Sequence, residues 1–228
     1  MVRVVALIPA FNAAHVLGET IAALRTLPEV DAIVVVDDGS TDGTAEAAKH
    51  AGAEAIVHEA NKGKGAALNT GLMTLRGRQF TALALVDSDL GSSASAFADL
   101  LRPVLAGEAE MSIARFPPAR HKGGFGLAKG FCRLGLYALT GQWFASPMSG
   151  QRVLAASIVS RLPGFALGWG SEPALTIDVH RMGGRIVEVP VAMSHAETGR
   201  GMADFAHRGR QLLAAARVFV IKAFCRKV

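Results

Sequence analysis

Along the first 115 residues, short uninterrupted apolar runs alternate with stretches whose apolar residues recur at helical spacing. Residues 2–8 read as a buried strand stopped by Pro9, and 32–36, 55–58, 81–86 and 109–114 read the same way. Between them, 15–27, 44–51, 65–75 and 94–105 read as helices, with Pro28 and Gly52 as stop signals. Strands without polar alternation are covered on both faces. The β-α-β-α order therefore predicts an α/β fold: a doubly wound, mostly parallel sheet flanked by helices. Such sheets bind ligands beyond the carboxyl ends of their strands, so the polar residues just after each strand are the place to look.

The second half is less regular. Residues 115–126 carry two prolines and three glycines among basic residues and read as a mobile loop. Residues 127–140 and 172–182 read as helices, 185–189 as a strand, 198–202 as a flexible segment and 204–224 as a long terminal helix. In that last helix Leu212, Ala216, Phe219 and Ala223 share one stripe and Arg210 and Arg217 another. The stripe fits a core-packed helix or a helix resting on an anionic membrane. No internal repeat or linker divides the chain. The expected organisation is a single domain with a ligand-binding half (1–115), an acceptor-side half (116–203) and a C-terminal amphipathic helix (204–228).

The chain has 228 residues, half of them hydrophobic and 19% charged, which excludes intrinsic disorder. Its two cysteines, Cys132 and Cys225, are too few for a disulfide framework or a four-cysteine zinc site and read as reduced packing residues. No run of about 20 apolar residues is present to span a bilayer. The first residues lack the features of a signal peptide, so a cytoplasmic protein, able to sit at the inner face of the membrane, is expected. A net charge of +5 favours anionic partners. The aromatic content of 6% and the lack of a recognisable reader motif argue against nucleic acid.

Three segments carry candidate chemistry. Asp37-Asp38-Gly39-Ser40-Thr41-Asp42-Gly43-Thr44 follows a strand; alone it reads as a turn with a helix cap. Two adjacent acids have no structural need of each other, which suggests that one accepts from a ligand hydroxyl or N–H. Asp87-Ser88-Asp89 also follows a strand. Two carboxylates one residue apart can share a hard cation, Mg²⁺ or Mn²⁺, that keeps substrate phosphates in its shell; alone the segment reads as a capped loop. Asn61-Lys62-Gly63-Lys64-Gly65 precedes a helix, where glycines allow close approach of an anion and lysines add charge. The P-loop spacing is absent.

Together with Ile8-Pro9-Ala10-Phe11-Asn12, these segments resemble, in order and interval, family 2 glycosyltransferases of the GT-A (Rossmann-like) fold, over at least residues 1–195. Ser149-Gly150-Gln151-Arg152 and Gly170-Ser171-Glu172, followed by residues 183–190, are similar to the polyprenyl-phosphate sugar synthases. A histidine at position 195, after Pro190-Val191, is similar to the glucosyl-3-phosphoglycerate synthases. The resemblance implies that Pro9, Phe11 and Asp38 contact the base and ribose of a nucleotide-diphosphate sugar, while Asp37 orients the turn. It implies Lys62 and Lys64 near the diphosphate, Asp87 with its neighbour Ser88 at the ribose or sugar, and Asp89 with His195 at a Mg²⁺ or Mn²⁺ ion. Glu172 falls where the family carries its acceptor-side acid. Arg115, Arg120 and Lys122 read either as solvated loop charges or, with Arg152, as a receiver for an acceptor phosphate, and Arg200 belongs to a second basic cluster that reads as a phosphate-binding lid over the diphosphate.

The implied reaction inverts the sugar. A cation and lysines stabilise the leaving diphosphate. Glu172 serves as base for a hydroxyl acceptor, or orients the sugar if the acceptor is a phosphate. A polyprenyl phosphate is the preferred acceptor and a small phosphorylated or hydroxylated metabolite the alternative; a peripheral membrane contact and a homodimer are compatible with both. Many relatives carry acids after the first asparagine, whereas this chain reads Asn12-Ala13-Ala14, which removes an expected ribose contact. A nucleotidyltransferase would share the α/β layer but needs a glycine- and basic-rich segment after the first strand, and Pro9-Ala10-Phe11-Asn12 is not one.

Overall fold

The computed structural model describes residues 3–116, 127–193 and 216–224. Seven strands form one sheet: β1 (Val4–Ala10), β2 (Val30–Asp37), β3 (Glu54–Val57), β4 (Ala82–Leu85), β5 (Met111–Arg115), β6 (Arg152–Ala155) and β7 (Ile186–Pro190), in the order β3-β2-β1-β4-β6-β5-β7. Every pairing is parallel except those of β6, which runs antiparallel to both β4 and β5. Five strands precede residue 116 and two follow it, so both halves of the chain build one sheet.

The apolar runs explain the layers. On β1, Val4, Ala6 and Ile8 point into one core, with Leu17, Ile21, Phe97 and Leu100 from α1 (Ala14–Arg25) and α4 (Phe97–Leu105). The alternate Val5 and Leu7 point into the opposite core, with Leu68, Leu136, Ile158 and Ile177. Those residues come from α3 (Lys64–Thr74), α5 (Leu127–Thr140), α6 (Ala156–Val159) and α7 (Ser171–Arg181). Every residue of β1 except Pro9 is buried, which is why its sequence shows no alternation. Short α2 (Thr44–His50) packs beside α1.

The elements read from the sequence fall within a few residues of those observed, with three differences, one being the four-residue α6, which was not expected. The helix expected over 94–105 begins as a 3-10 helix, Gly91–Ala96, before α4. β6 was not expected: four residues are too few for periodicity to show, and its place in the sheet is set by pairing Leu85 with Arg152 and Ile113 with Arg152. Of the terminal helix expected over 204–224, residues 216–224 are helical and the rest lie outside the described residues, as do 198–202 and 117–126 of the expected loops.

The topology positions the site. From β1 the chain winds to β2 and β3 on one side, then crosses to β4 on the other, so β1 and β4 flank a topological switch point. Because β6 runs backward, the residues before it, Ser149-Gly150-Gln151, arrive at the edge where β1 and β4 end.

Candidate active site

The turn after β2 is built from its own acids. Asp37 is buried and accepts from Ser40 N at 3.1 Å and from Ser40 Oγ. Gly39 lies at φ 77°, and a Cβ there would stand 2.6 Å from the backbone of Ala60, so only glycine fits. Asp42 accepts from Thr44 N at 3.1 Å and from Ala14 N at 3.0 Å, capping α1 from outside. The Thr44 hydroxyl, chief among those donors, holds the Asp42 carboxyl below its ordinary range. Asn12, at φ 50°, accepts from Thr41 N on its Oδ1 and donates its own N–H to Ser40 Oγ. The first motif and the Asp37–Thr44 turn are thus one hydrogen-bonded unit.

Asp38, expected at the base and ribose, is hydrogen-bonded within the protein. It is 3% exposed. Its Oδ1 accepts from His58 Nδ1 at 2.7 Å and Lys62 N at 3.0 Å, and its Oδ2 from Gly63 N at 2.7 Å. A carboxylate can only accept, so His58 Nδ1 donates to it, and Nε2 is hydrogen-bonded to Thr70 Oγ1 at 2.8 Å. Asp38 is a brace that fixes the lysine-bearing loop to α3.

Lys64, expected near the diphosphate, is paired with two acids. Its Nζ lies 2.6 Å from Asp87 Oδ1 and 3.2 Å from Glu172 Oε1. Burial works against the ammonium, but Asp87 and then Glu172 outweigh it and hold its pKa above the usual lysine value. Lys62 is exposed and has no side-chain partner among the described residues, so it is the lysine of this loop left for an anion. Asp87 is clamped twice by Gln151: its carboxylate receives Gln151 Nε2 at 2.5 Å and its N–H reaches Gln151 Oε1 at 3.0 Å. A Cβ on Gly150 would stand 2.7 Å from both Asp87 Oδ2 and Lys64 Nζ. Sequence reading placed Gln151 in a motif without giving it this task.

Glu172 opens α7, where the helix N-terminus favours a carboxylate, and accepts from Ser171 Oγ at 2.8 Å. It lines a narrow cavity with Pro9, Lys64, Asp87 and Arg152 rather than the larger cleft beside it. Arg152 is fully buried and cannot meet an acceptor phosphate at the surface, which corrects its expected role. Its guanidinium donates to Ser149 O and Thr176 Oγ1, both at 2.8 Å. Burial pushes its pKa down to about 10, with Glu172 and then Glu188 opposing, so it stays a cation at neutral pH. Cys132 is a buried free thiol, pushed up to about 11 by burial and by the charge of Glu172, as befits an inert packing residue.

The larger cleft, about 1120 Å³, is lined by Asp87, Asp89 and Asp99 together with Arg115, Lys129 and Arg133. Glu188 shapes its floor by accepting from Ala145 N at 2.7 Å and Ser146 N at 2.5 Å. Arg133 donates to Phe144 O and Ala145 O and lies 5.9 Å from the centre of the Trp143 ring. Lys129 and Arg133 were not singled out in the sequence, because they stand on an apolar-looking helix. Pro9 lies at the back of the narrow cavity; Phe11 is 48% exposed above β1, and Ser88 is half-buried with its carbonyl accepting from Thr20. Asp89 is exposed in the cleft with no partner among the described residues. Arg120, Lys122, His195 and Arg200 lie outside the described residues. Among the described residues no three His, Cys, Asp or Glu side chains gather to hold a metal.

The profile described as glycosyl transferase family 2 matches residues 5–142, which spans the sheet's first five strands and the part of the cleft lined by Asp87, Asp89, Asp99, Arg115, Lys129 and Arg133. The chain belongs to glycosyl transferase family 2. Relatives bear on the rest of this family 2 glycosyltransferase. An undecaprenyl-phosphate mannosyltransferase of Micrococcus luteus is 29% identical over 209 residues, 86% of each chain. An uncharacterised protein of Methanocaldococcus jannaschii is 29% identical over 204 residues, 83% of this chain and 81% of the other. Among solved structures, glucosyl-3-phosphoglycerate synthase of Mycobacterium tuberculosis with phosphoglyceric acid superposes with a TM-score of 0.78 at 26% identity, covering 96% of this chain and 80% of that one. The same enzyme with Mn²⁺, UDP-glucose and phosphoglyceric acid gives 0.76 at 25% identity with the same coverage. The GT-A fold read from the sequence is therefore observed.

Proposed function

We propose that this glycosyltransferase moves a sugar from a nucleotide-diphosphate donor to a phosphate-bearing acceptor, and that the acceptor is a polyprenyl phosphate. The observation that carries the reading is the cleft itself: Arg115, Lys129 and Arg133 share it with Asp87 and Asp89, while Glu172 is drawn away from it onto Lys64. A hydroxyl acceptor needs a base; a phosphate acceptor is already an anion and needs cations to hold it. The mannosyltransferase from Micrococcus supports a lipid-linked phosphate.

The donor side follows the same logic. Phe11 offers an exposed aromatic face just after β1, and Lys62, in the loop before α3, an ammonium with no side-chain partner among the described residues. Asp89 would offer a divalent cation a hard carboxylate oxygen that has no partner among the described residues, and His195 is a further candidate. The neighbours that hold Mn²⁺ or Mg²⁺ with UDP support this. When bound, such a cation neutralises charge that gathers on the leaving diphosphate. An acceptor phosphate oxygen attacks the anomeric carbon, the bond from that carbon to the donor diphosphate oxygen breaks, and the diphosphate departs with the electron pair. Attack from the face opposite the leaving group inverts the sugar. Asp87, locked by Gln151 and Lys64, is held to accept from sugar or ribose hydroxyls. Lys62 neutralises part of the diphosphate charge.

The test is transfer from UDP- and GDP-sugars, with Mn²⁺, to a short-chain polyprenyl phosphate and to 3-phosphoglycerate in parallel. A sugar-phosphoryl-lipid product, lost on chelation and in Asp89→Ala, is expected. Transfer to 3-phosphoglycerate alone would move the assignment to a small acceptor, and equal rates for Asp89→Ala would remove Asp89 from the metal.

A further inference from the structure

Several large apolar side chains stand on the surface beside the cleft. On α5, Phe131, Leu134 and Tyr137 recur every three residues on its outer face, and Leu134 is 62% exposed. Tyr137 meets Trp143, itself 58% exposed, with ring centres 6.1 Å apart. At the other end Phe131 meets Phe219 of the terminal helix, 5.6 Å between centres, and that helix exposes Val220, Ile221 and Phe224. The stripe expected to bury this helix is only half used: Phe219 packs against Gly135, and beyond it Val220, Ile221, Ala223 and Phe224 face outward while Lys222 turns in to Asp178.

Charge tells what covers this face. Between Glu110 and Glu172 the sequence has no aspartate or glutamate but seven lysines and arginines; after Asp204 it has none and six. Both helices of the apolar face lie in these acid-free stretches; of their cations, Lys129, Arg133 and Arg217 stand on the two helices at or near the surface, while Arg152 is buried in the core and Lys222 is paired with Asp178. Two copies of such a face would set cation against cation. An anionic lipid surface complements it, with Trp143 and Tyr137 at headgroup depth and basic side chains on the phosphates. Among the described residues no helix is long and apolar enough to cross a membrane, so the contact lies on the surface. The face is continuous with the cleft, because Lys129 and Arg133 belong to α5 and line it.

We infer that the outer face of α5, with Trp143 and residues 220–224, docks this protein on an anionic bilayer and turns the basic wall of the cleft toward lipid headgroups. The inference deepens the lipid-phosphate reading and rests on it for its purpose, though the docking itself needs no acceptor.

The experiment is sedimentation with phosphatidylcholine vesicles containing or lacking phosphatidylglycerol, with no acceptor added. Salt-sensitive binding to the anionic vesicles is expected, reduced about tenfold in Leu134→Glu. Phe224→Ser, on the other helix, guards against a local folding defect and should weaken binding in the same direction. Both variants should keep wild-type transfer to a short-chain acceptor in detergent. No binding, equal binding to neutral vesicles, or wild-type binding by both variants overturns the inference. So does a vesicle-free dimer that Leu134→Glu dissociates, which would assign the face to a second copy. Lost docking with intact transfer to the soluble prenyl phosphate leaves the acceptor reading standing; docking with transfer only to 3-phosphoglycerate removes the acceptor reading instead.

Discussion

Lys64 Nζ sits 2.6 Å from Asp87 Oδ1 and bridges that carboxylate to Glu172. The pair joins the start of α3 to the end of β4, two elements 23 residues apart in sequence, across the switch point. Without the ammonium, Asp87 and Glu172 would face each other across the narrow cavity with Arg152 as their nearest compensation. Lys64→Met is expected to destabilise the fold by about 1–2 kcal/mol, less than a fully buried pair because these side chains are partly exposed. It should also lower kcat/KM by at least about a hundredfold, as misplaced positioning groups do. Lys64→Arg should recover part of it. Chemical denaturation and steady-state rates on the same preparations check both; wild-type rates in Lys64→Met would remove the pair from the active arrangement.

Gln151 matches Asp87 with both ends of its amide, so its loss frees a carboxylate and strands a backbone N–H. Gln151→Leu keeps the volume and removes both bonds. A fall in kcat/KM of about 10- to 100-fold is expected, in the range found when a group orienting a ligand-binding carboxylate is lost. Gln151→Glu should be worse, because it sets a second carboxylate against Asp87. If it were the milder of the two, the clamp would not be what matters.

The strands of the first half, their order and the acid-bearing turns were legible because β1, β2 and β4 are buried on both faces and end in polar residues. What those polar residues do was not. Asp37 and Asp38 are neighbours in sequence, yet one caps its own turn and the other braces a loop 24 residues on, and only the path of β3 decides which. Arg152 looked like a phosphate ligand until β6, too short to show a period, carried it into the core. Lys129 and Arg133 were hidden by their helix, whose apolar residues suggested burial while its outer side is exposed.

His58 touches none of the cleft, but it holds Asp38 on one nitrogen and Thr70 on the other. Asp38 in turn fixes Lys62 and Gly63 through their backbone N–H groups. His58→Ala leaves Asp38 buried with a donor missing, which costs about 1–3 kcal/mol. The loop then loosens, so KM for the donor should rise several-fold with little change in kcat. His58→Asn, which can still donate, should restore most of the KM. A change in kcat with KM untouched would mean that His58 acts elsewhere.

The link between β5 and β7 is expected to weaken in acid. Arg185 donates to both oxygens of Glu110, and its backbone N–H adds a third bond at 2.6 Å. The Arg185 guanidinium, chief among these, holds the Glu110 carboxyl down to about 2 from 4.5. A depressed pKa contributes stability that is present above the unfolded value, about 4.5, and is lost as pH falls toward 2. Wild type should therefore outmelt Glu110→Gln by about 2 °C at pH 7, the small size expected of a solvent-screened pair, and the gap should close between about pH 4.5 and 2. A gap that persists unchanged at the acid end would show that packing, not charge, is what the substitution removes.

Glu172 separates the two acceptor classes. Its Oε1 is 3.2 Å from Lys64 and its Oε2 holds Ser171 Oγ, so the carboxylate is occupied on both sides and lies off the open cleft. A hydroxyl acceptor would require it to leave Lys64 and take a proton, and general bases of this kind contribute about 10²–10⁴ in rate. A phosphate acceptor asks nothing of it beyond keeping Lys64 and the sugar in place. Glu172→Gln keeps the shape and the bond to Ser171 but removes both the negative charge and the capacity to act as base. With a polyprenyl phosphate the expected loss in kcat is about tenfold or less, with a flat pH profile above neutrality. With a hydroxyl acceptor the loss would reach the full range, and wild type would show a rising limb with pH that the variant lacks. A thousandfold loss on the lipid phosphate would make Glu172 part of the chemistry and return the acceptor to a hydroxyl.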